Sequence, residues 1–231
     1  MQDLRALPEG APGYRLDLAV AFRRQACSNA YKVGHCYNES DRAGMYAGTP
    51  NSYMPKLDRC TKLGALMGDL EALRSTDPAM HAVVFTHYLE VQAAVVASLQ
   101  SRAFVVYQVS GGTDMGERAQ MIRSFQAGAA AKDGTAKVFV FTVKLGSVGL
   151  TLTAATRVYL LEPAFDPAAE AQMAGRIHRL GQSRSVLIKK FAFRNSIDEN
   201  IVVLHERIKT GQIAISNGII PARGIRLLGK R

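Results

Sequence analysis

The chain has too few cysteines for a disulfide framework. Cys27, Cys36 and Cys60 are odd in number and far apart, which suits free thiols in a reducing compartment. No Cys-x-x-Cys pair is present, so a zinc site would have to be assembled from Cys27, His35, Cys36 and Cys60, a weak ligand pattern. No apolar run approaches the roughly 18 to 20 residues that a membrane span needs. Met1 to Gly10 carries acidic side chains and a proline in place of a basic start and an apolar core. Neither a membrane partner nor a secretory leader is therefore expected. An internal repeat is lacking too. So is a Gly-x-x-x-x-Gly-Lys-Ser/Thr phosphate loop, and so is an acidic Walker-type sequence after a strand. Taken alone, these residues do not cradle the phosphates of a nucleoside triphosphate or hold its magnesium.

What remains is an ordinary globular composition, 48% hydrophobic and 7% aromatic, in 231 residues. That length accommodates one well-buried α/β domain with extensions. The formal charge is +10 and the sequence pI is near 9.7. From Arg184 onward ten basic residues face three acidic ones, so a net +7 of the +10 is C-terminal. Such an excess attracts a polyanion, nucleic acid being the common case, although a solvated basic tail accounts for the same count.

Residues 1–56 mix Gly, Pro, Ser, Asn and Tyr without sustained periodicity; 16–24 suits a short helix and 44–55 a loop. From Leu57 the apolar positions Leu57, Cys60, Leu63, Met67, Leu70 and Leu73 recur at three and four residues, predicting a helix to about Arg74. Strands are expected at 81–86, 104–109, 137–142, 157–161 and 186–193, alternating with helices at 89–99, from Asp114, from Asp166 and from Ser196 to about Thr210. Asp114 with Glu117, and Ser196 with Glu199, have capping-box spacing, and Asp166-Pro167 reads as a cap followed by Pro at the first helical position. The alternation argues an α/β fold with a mainly parallel sheet and helices on both faces.

The most informative stretch is Gln172-Met173-Ala174-Gly175-Arg176-Ile177-His178-Arg179-Leu180-Gly181-Gln182. On a helix, Gln172, Arg176 and Arg179 fall at i, i+4 and i+7 and share one face, while Met173, Ile177 and Leu180 share another. One side packs and the other offers two guanidinium forks, which bind phosphate oxygens bidentately and stay charged. Two arginines alone would equally suit a solvated stripe. Gly175 inside such a helix costs about 1 kcal/mol against Ala, with close approach to a neighbouring element as the expected compensation. Upstream, Thr142-Val143-Lys144-Leu145-Gly146-Ser147-Val148-Gly149-Leu150-Thr151-Leu152 leads from a strand into a loop of small residues. It brings backbone N–H groups and Lys144 to the carboxyl end of the sheet, where ligands bind in open α/β folds. These groups suit phosphate contacts that position a nucleic acid without reading its sequence.

The eleven-residue stretch resembles motif VI of superfamily 2 helicase-like ATPases, and its ending His-Arg-Leu-Gly-Gln resembles the Swi/Snf-type DNA translocases in particular. Val83 to Tyr88 is similar to motif IV, Ser110-Gly111-Gly112-Thr113 to the next segment, and Thr142 to Leu152 to motif V, with Ser147 where a second Gly is usual. Val143-Lys144-x-Gly146-Ser147, Glu162-Pro163 and Gly175-Arg176-Ile177-His178-Arg179 together look most like the branch that also carries PHD and RING ubiquitin-ligase modules. No RING-type spacing exists here, so ligase activity is not credited to this chain.

The resemblance covers about 57–210 and implies a RecA-like second lobe, preceded by an N-terminal extension (1–56) and followed by a basic tail (211–231). It implies ATP as cofactor, with Mg2+ held by the absent first lobe. Arg176 and Arg179 would be catalytic arginine fingers, and Gln172, Gly146 and Gly149 would join them in contact with the nucleotide. Thr142, Lys144, Ser147 and Gly111 would contact nucleic acid. Double-stranded DNA, nucleosomes and the N-terminal helicase lobe are the implied partners, and the nucleus the implied location. This chain by itself is expected to hydrolyse ATP negligibly. The alternative is a catalytically silent module that binds nucleic acid or a partner protein.

Overall fold

The computed structural model describes residues 61–109, 111–127, 135–143, 151–177, 179, 182–215 and 221. The expected helix at 16–24, the loop at 44–55 and the cysteine-histidine set lie outside them. Two compact units divide the chain, Leu57–Phe191 in one and Met1–Lys56 with Ala192–Arg231 in the other. Among the described residues no helix is long and apolar enough to cross a membrane. Nor, among those residues, does any group of three or more His, Cys, Asp or Glu have the arrangement to hold a metal ion.

Leu57–Phe191 contains a five-stranded sheet in the order β2-β3-β1-β4-β5. In chain order it runs α1 (Thr61–Thr76), β1 (His81–Thr86), α2 (Leu89–Gln100), β2 (Val105–Gln108), α3 (Met115–Gln126), β3 (Lys137–Thr142), β4 (Arg157–Leu160), α4 (Pro167–Ala174) and β5 (Leu187–Lys190). All four strand pairs are parallel, and β1 meets β3 in register from His81 with Lys137 to Thr86 with Thr142. This is the mainly parallel RecA-like sheet the sequence predicts. β1 and β3 have the expected bounds, β2 is one residue shorter at each end, β4 is one shorter at its end, and β5 is four residues shorter in all.

β1 and β3 are buried along their whole length, as parallel strands covered on both faces must be. Their alternate side chains feed two separate cores. Ala82, Val84, Val138, Val140, Tyr159 and Leu161 pack with Leu66 and Leu70 of α1 and Val95 and Leu99 of α2. Val83, Phe85, Phe139, Phe141, Val158 and Leu160 pack with Phe125 of α3, Met173 of α4, Ile177 and the segment around Leu152. Aromatic rings dominate this second core, with Phe139 and Phe141 stacked at 4.2 Å.

Asp114 caps α3 by accepting from the Gly116 N–H at 2.8 Å, and Asp166 caps α4 by accepting from the Ala168 N–H at 2.9 Å with Pro167 behind it. In the other unit, α5 (Ile197–Lys209) is capped by Ser196, which accepts from the Asp198 N–H at 3.1 Å. Glu199 reaches back to the N–H of Asn195 at 2.6 Å, one residue earlier than a capping box requires.

The helix expected to carry both arginines is shorter than its pattern. α4 ends at Ala174, Gly175 is its cap residue at φ −65° and ψ −9°, and Arg176 and Ile177 continue as a tightened turn bonded back to Met173 and Ala174. Gly175 is therefore not in a helix interior. A Cβ there would meet the Ala171 carbonyl oxygen of its own helix at 3.3 Å, not a neighbouring element.

At the amino end of β1, His81 is buried and its Nδ1–H donates to the Ala79 carbonyl at 2.9 Å. Burial lowers its pKa, the Ala79 bond opposes this, and the nearby charges of Lys137 and Arg184 lower it further. A folded value below 6.5 means the unfolded chain binds the proton more readily between the two values. The stability contribution is present above the unfolded value and lost as pH falls through the folded one. Urea unfolding should give a lower midpoint at pH 5 than at pH 7.5, and His81→Phe should flatten that dependence; an unaltered slope would show that His81 is not its source.

Candidate nucleotide and nucleic-acid interface

β1 sends its connection to the α2 face, while its neighbour β3 sends its own toward the Leu152 face. Adjacent strands that diverge in this way leave a crevice at their carboxyl ends, the place where open α/β sheets bind ligands. The floor of that edge is pinned by buried polar groups. Glu162 is 2% exposed and accepts from the Thr86 hydroxyl, shared between its oxygens at 3.1 and 3.0 Å, and from the His87 N–H at 2.9 Å. Lys62, also buried, donates to the Leu161 carbonyl at 2.8 Å. Gln92 is fully buried and donates to the carbonyls of Val109 and Val140 at 3.1 and 3.0 Å, tying the end of β2 to β3. Glu162 is thus committed to holding β1 against β4, and Asp166 to capping α4. They are not a catalytic carboxylate pair.

The arginine turn lies away from this edge, against the segment that leads into the amino end of β4, where the Thr156 N–H donates to the His81 carbonyl at 3.1 Å. Arg176 is half-buried, and its carbonyl accepts from the Leu152 N–H at 3.0 Å. Arg179 is exposed and donates to the Thr151 hydroxyl at 2.7 Å. That partner is neutral, so the bond orients the guanidinium without cancelling its charge. Gln172 is exposed on α4, and Met173 and Ile177 face the core as the spacing requires. Thr142 is buried at the end of β3, and Gly111 is exposed in the turn between β2 and α3. Lys144, Gly146, Ser147 and Gly149 lie outside the described residues, as do His178, Leu180 and Gly181. The structure therefore brings Arg176 and Arg179 to the segment that directly follows the small-residue loop.

Three further side chains complete the arrangement: Gln126 and Arg184, missed in the sequence as site residues, and Gln182, which stands in the motif with no role given to it there. Gln126, the last residue of α3, donates to the Thr151 carbonyl and the Thr153 hydroxyl, both at 3.2 Å, and accepts from the Ala154 N–H at 2.7 Å. Gln182 donates to the carbonyls of Thr153 and Ala155 at 2.8 and 3.0 Å. The Arg184 guanidinium donates to the Ala154 carbonyl, and the Arg184 backbone N–H donates to the Gln182 side-chain oxygen at 3.0 Å. No local pattern could have marked Gln126, since its partners lie 25 to 28 positions away and two of them are backbone atoms.

Comparison with known proteins agrees with this geometry. The family model described as helicase conserved C-terminal domain matches residues 62–181. The chain is 36% identical over 142 residues to the helicase-like transcription factor of Mus musculus, covering 62% of this chain and 14% of that protein. It is 32% identical over 151 residues to DNA repair protein RAD5 of Candida albicans, covering 64% and 14%. A putative SWI/SNF-related matrix-associated actin-dependent regulator of chromatin subfamily A member 3-like 1 of Arabidopsis thaliana is 32% identical over 183 residues, covering 79% and 20%. The chain thus spans only a seventh to a fifth of these relatives. The solved C-terminal part of the Fun30 ATPase domain superposes with a TM-score of 0.56 at 19% identity, covering 84% of this chain and 59% of that one, a likeness of fold.

Removing the Glu162 carboxylate strands the buried Thr86 hydroxyl and the His87 N–H. Glu162→Ala should lower stability by about 3 kcal/mol, read as a shift in the urea midpoint. Glu162→Gln, which still accepts from His87, should cost less; equal losses would mean that bulk at 162, not hydrogen bonding, holds the edge.

Proposed function

Because the chain belongs to the helicase conserved C-terminal domain family, in its Swi/Snf-type superfamily 2 branch, we propose that residues 57–210 form the second motor lobe of an ATP-dependent double-stranded DNA translocase. Arg176 and Arg179 act on the γ-phosphate of ATP bound mainly by a first lobe. The loop containing Lys144, Gly146, Ser147 and Gly149, with Thr142 and Gly111, contacts the DNA backbone. Gln172 lies between the two functions.

The observation that carries this reading is the exposed Arg179 guanidinium, oriented by a neutral hydroxyl next to that loop. A guanidinium held in place but not neutralised suits phosphate oxygens whose charge grows during transfer. ATP supplies the transferable phosphoryl group when bound. Mg2+ would be held by the first lobe, as the family resemblance implies. The relatives named for DNA repair, transcription and chromatin regulation support duplex DNA, including nucleosomal DNA, as the track, and the nucleus as the location. The C-terminal basic excess favours the same polyanion.

A silent binding module is the second reading, favoured by the lack of a phosphate loop in these 231 residues. In protein that includes the first lobe, Arg179→Ala and Arg176→Ala should each cut DNA-stimulated ATP turnover by about three orders of magnitude, with duplex DNA still bound. Unchanged turnover would exclude the finger role, and the absence of any DNA-stimulated turnover in the unaltered protein would favour the silent module.

A further inference from the structure

We propose that Gln126 and Gln182 are positioning residues that hold residues 151–155 and the arginine turn together as one mechanical unit. The proposal deepens the motor reading above and rests on it for its consequence, though not for its geometry.

Residues 151–155 follow the small-residue loop and lead into β4, outside any strand pairing. Their backbone polar groups are met from three sides. Gln126 arrives from the end of α3, bonding Thr151, Thr153 and Ala154. Gln182 arrives from beyond the arginine turn, bonding Thr153 and Ala155. The arginine turn itself supplies the carbonyl of Arg176 for Leu152 and the guanidinium of Arg179 for Thr151. Leu152 is fully buried in the aromatic core, so the segment is anchored by packing as well.

The consequence is directional. Thr151 is held by Gln126 through its carbonyl and by Arg179 through its hydroxyl. A displacement of residues 151–155 therefore moves the hydroxyl that orients Arg179, unless Gln126 and Gln182 release first. Neither amide touches nucleotide or DNA in this role; each acts through Thr151 and Leu152. A glutamine is suited to the task because its amide donates two hydrogen bonds and accepts at the same terminus. Gln126 uses both capacities on one segment.

Amide hydrogen exchange on this chain tests the link directly. Gln126→Ala should speed exchange at Leu152 about tenfold, although the acceptor of that amide is Arg176 and not Gln126, while β1 and β3 keep their protection. Faster exchange at Ala154 alone, with Leu152 unchanged, would overturn the proposal. Should Gln126→Ala also expose β1 and β3, Gln182→Ala decides by the same readout at Leu152. In protein with its first lobe, Gln126→Ala should lower DNA-stimulated turnover about tenfold with the KM for ATP held within about twofold. Unaltered turnover despite faster Leu152 exchange would overturn the positioning role. Failure of the unaltered protein to show DNA-stimulated turnover would sink the motor reading alone, since the exchange result stands apart from it.

Discussion

A stretch of backbone that leads into the amino end of a buried strand without strand partners of its own has to find its hydrogen bonds elsewhere. Buried or half-buried N–H and C=O groups are costly when unmet, about 1–3 kcal/mol each, so residues 151–155 hold their place where side chains, together with the carbonyls of Leu152 and Arg176, satisfy them. Gln126, Gln182 and Arg184 do so, and in doing so they decide where Thr151 and Leu152 sit. The arginine turn then docks on those two residues. Its backbone is bonded back to Met173 and Ala174 of its own helix as well.

The rest of the sheet makes that dependence possible. Two apolar cores on opposite faces hold β1 and β3 rigid, so polar groups can be buried at their carboxyl ends without loosening the structure. Glu162 and Gln92 use that rigidity, each satisfying backbone groups at strand ends across the sheet. On the α1 face, Asp69 accepts from Tyr159 at 2.6 Å and pairs with Lys189 of β5 at 2.5 Å. Burial works against the Asp69 carboxylate, but these donors outweigh it and hold its pKa below the ordinary value. Burial and the neighbouring carboxylate together push the Tyr159 hydroxyl far above its own. The edge strand is thereby fixed through polar contacts where its side chains are too exposed to be held by packing.

What could be read in the sequence is what depends on local spacing. The strands β1, β3 and β4, the caps at Asp114, Asp166 and Ser196, and the packing of Met173 and Ile177 all follow from period and capping chemistry. The end of α4 did not follow. The pattern continues through Arg179, yet Gly175 weakens the helix and the Arg176 carbonyl is drawn to Leu152, 24 positions earlier in the chain, so the coil tightens and stops. Sequence spacing reports which residues could share a helical face. It does not report a competing donor that folding brings in from elsewhere. Gln126 was invisible for the same reason, being an ordinary polar residue at a helix end until the loop arrives beside it.

Placing the two arginines on a turn changes how they can work. On a continuous helix their spacing would be fixed by the backbone ladder, and the whole helix would have to shift to move them. On a turn whose contacts run to Thr151 and Leu152, a few hydrogen bonds near 1 kcal/mol each set their position. That is large enough to hold an orientation and small enough to be altered by binding energy delivered at a neighbouring loop. Coupling between two sites requires an element that both can bias. Residues 151–155, bonded on one side to the arginine turn and continuous on the other with the loop proposed to touch DNA, meet that requirement with contacts that belong to this lobe alone.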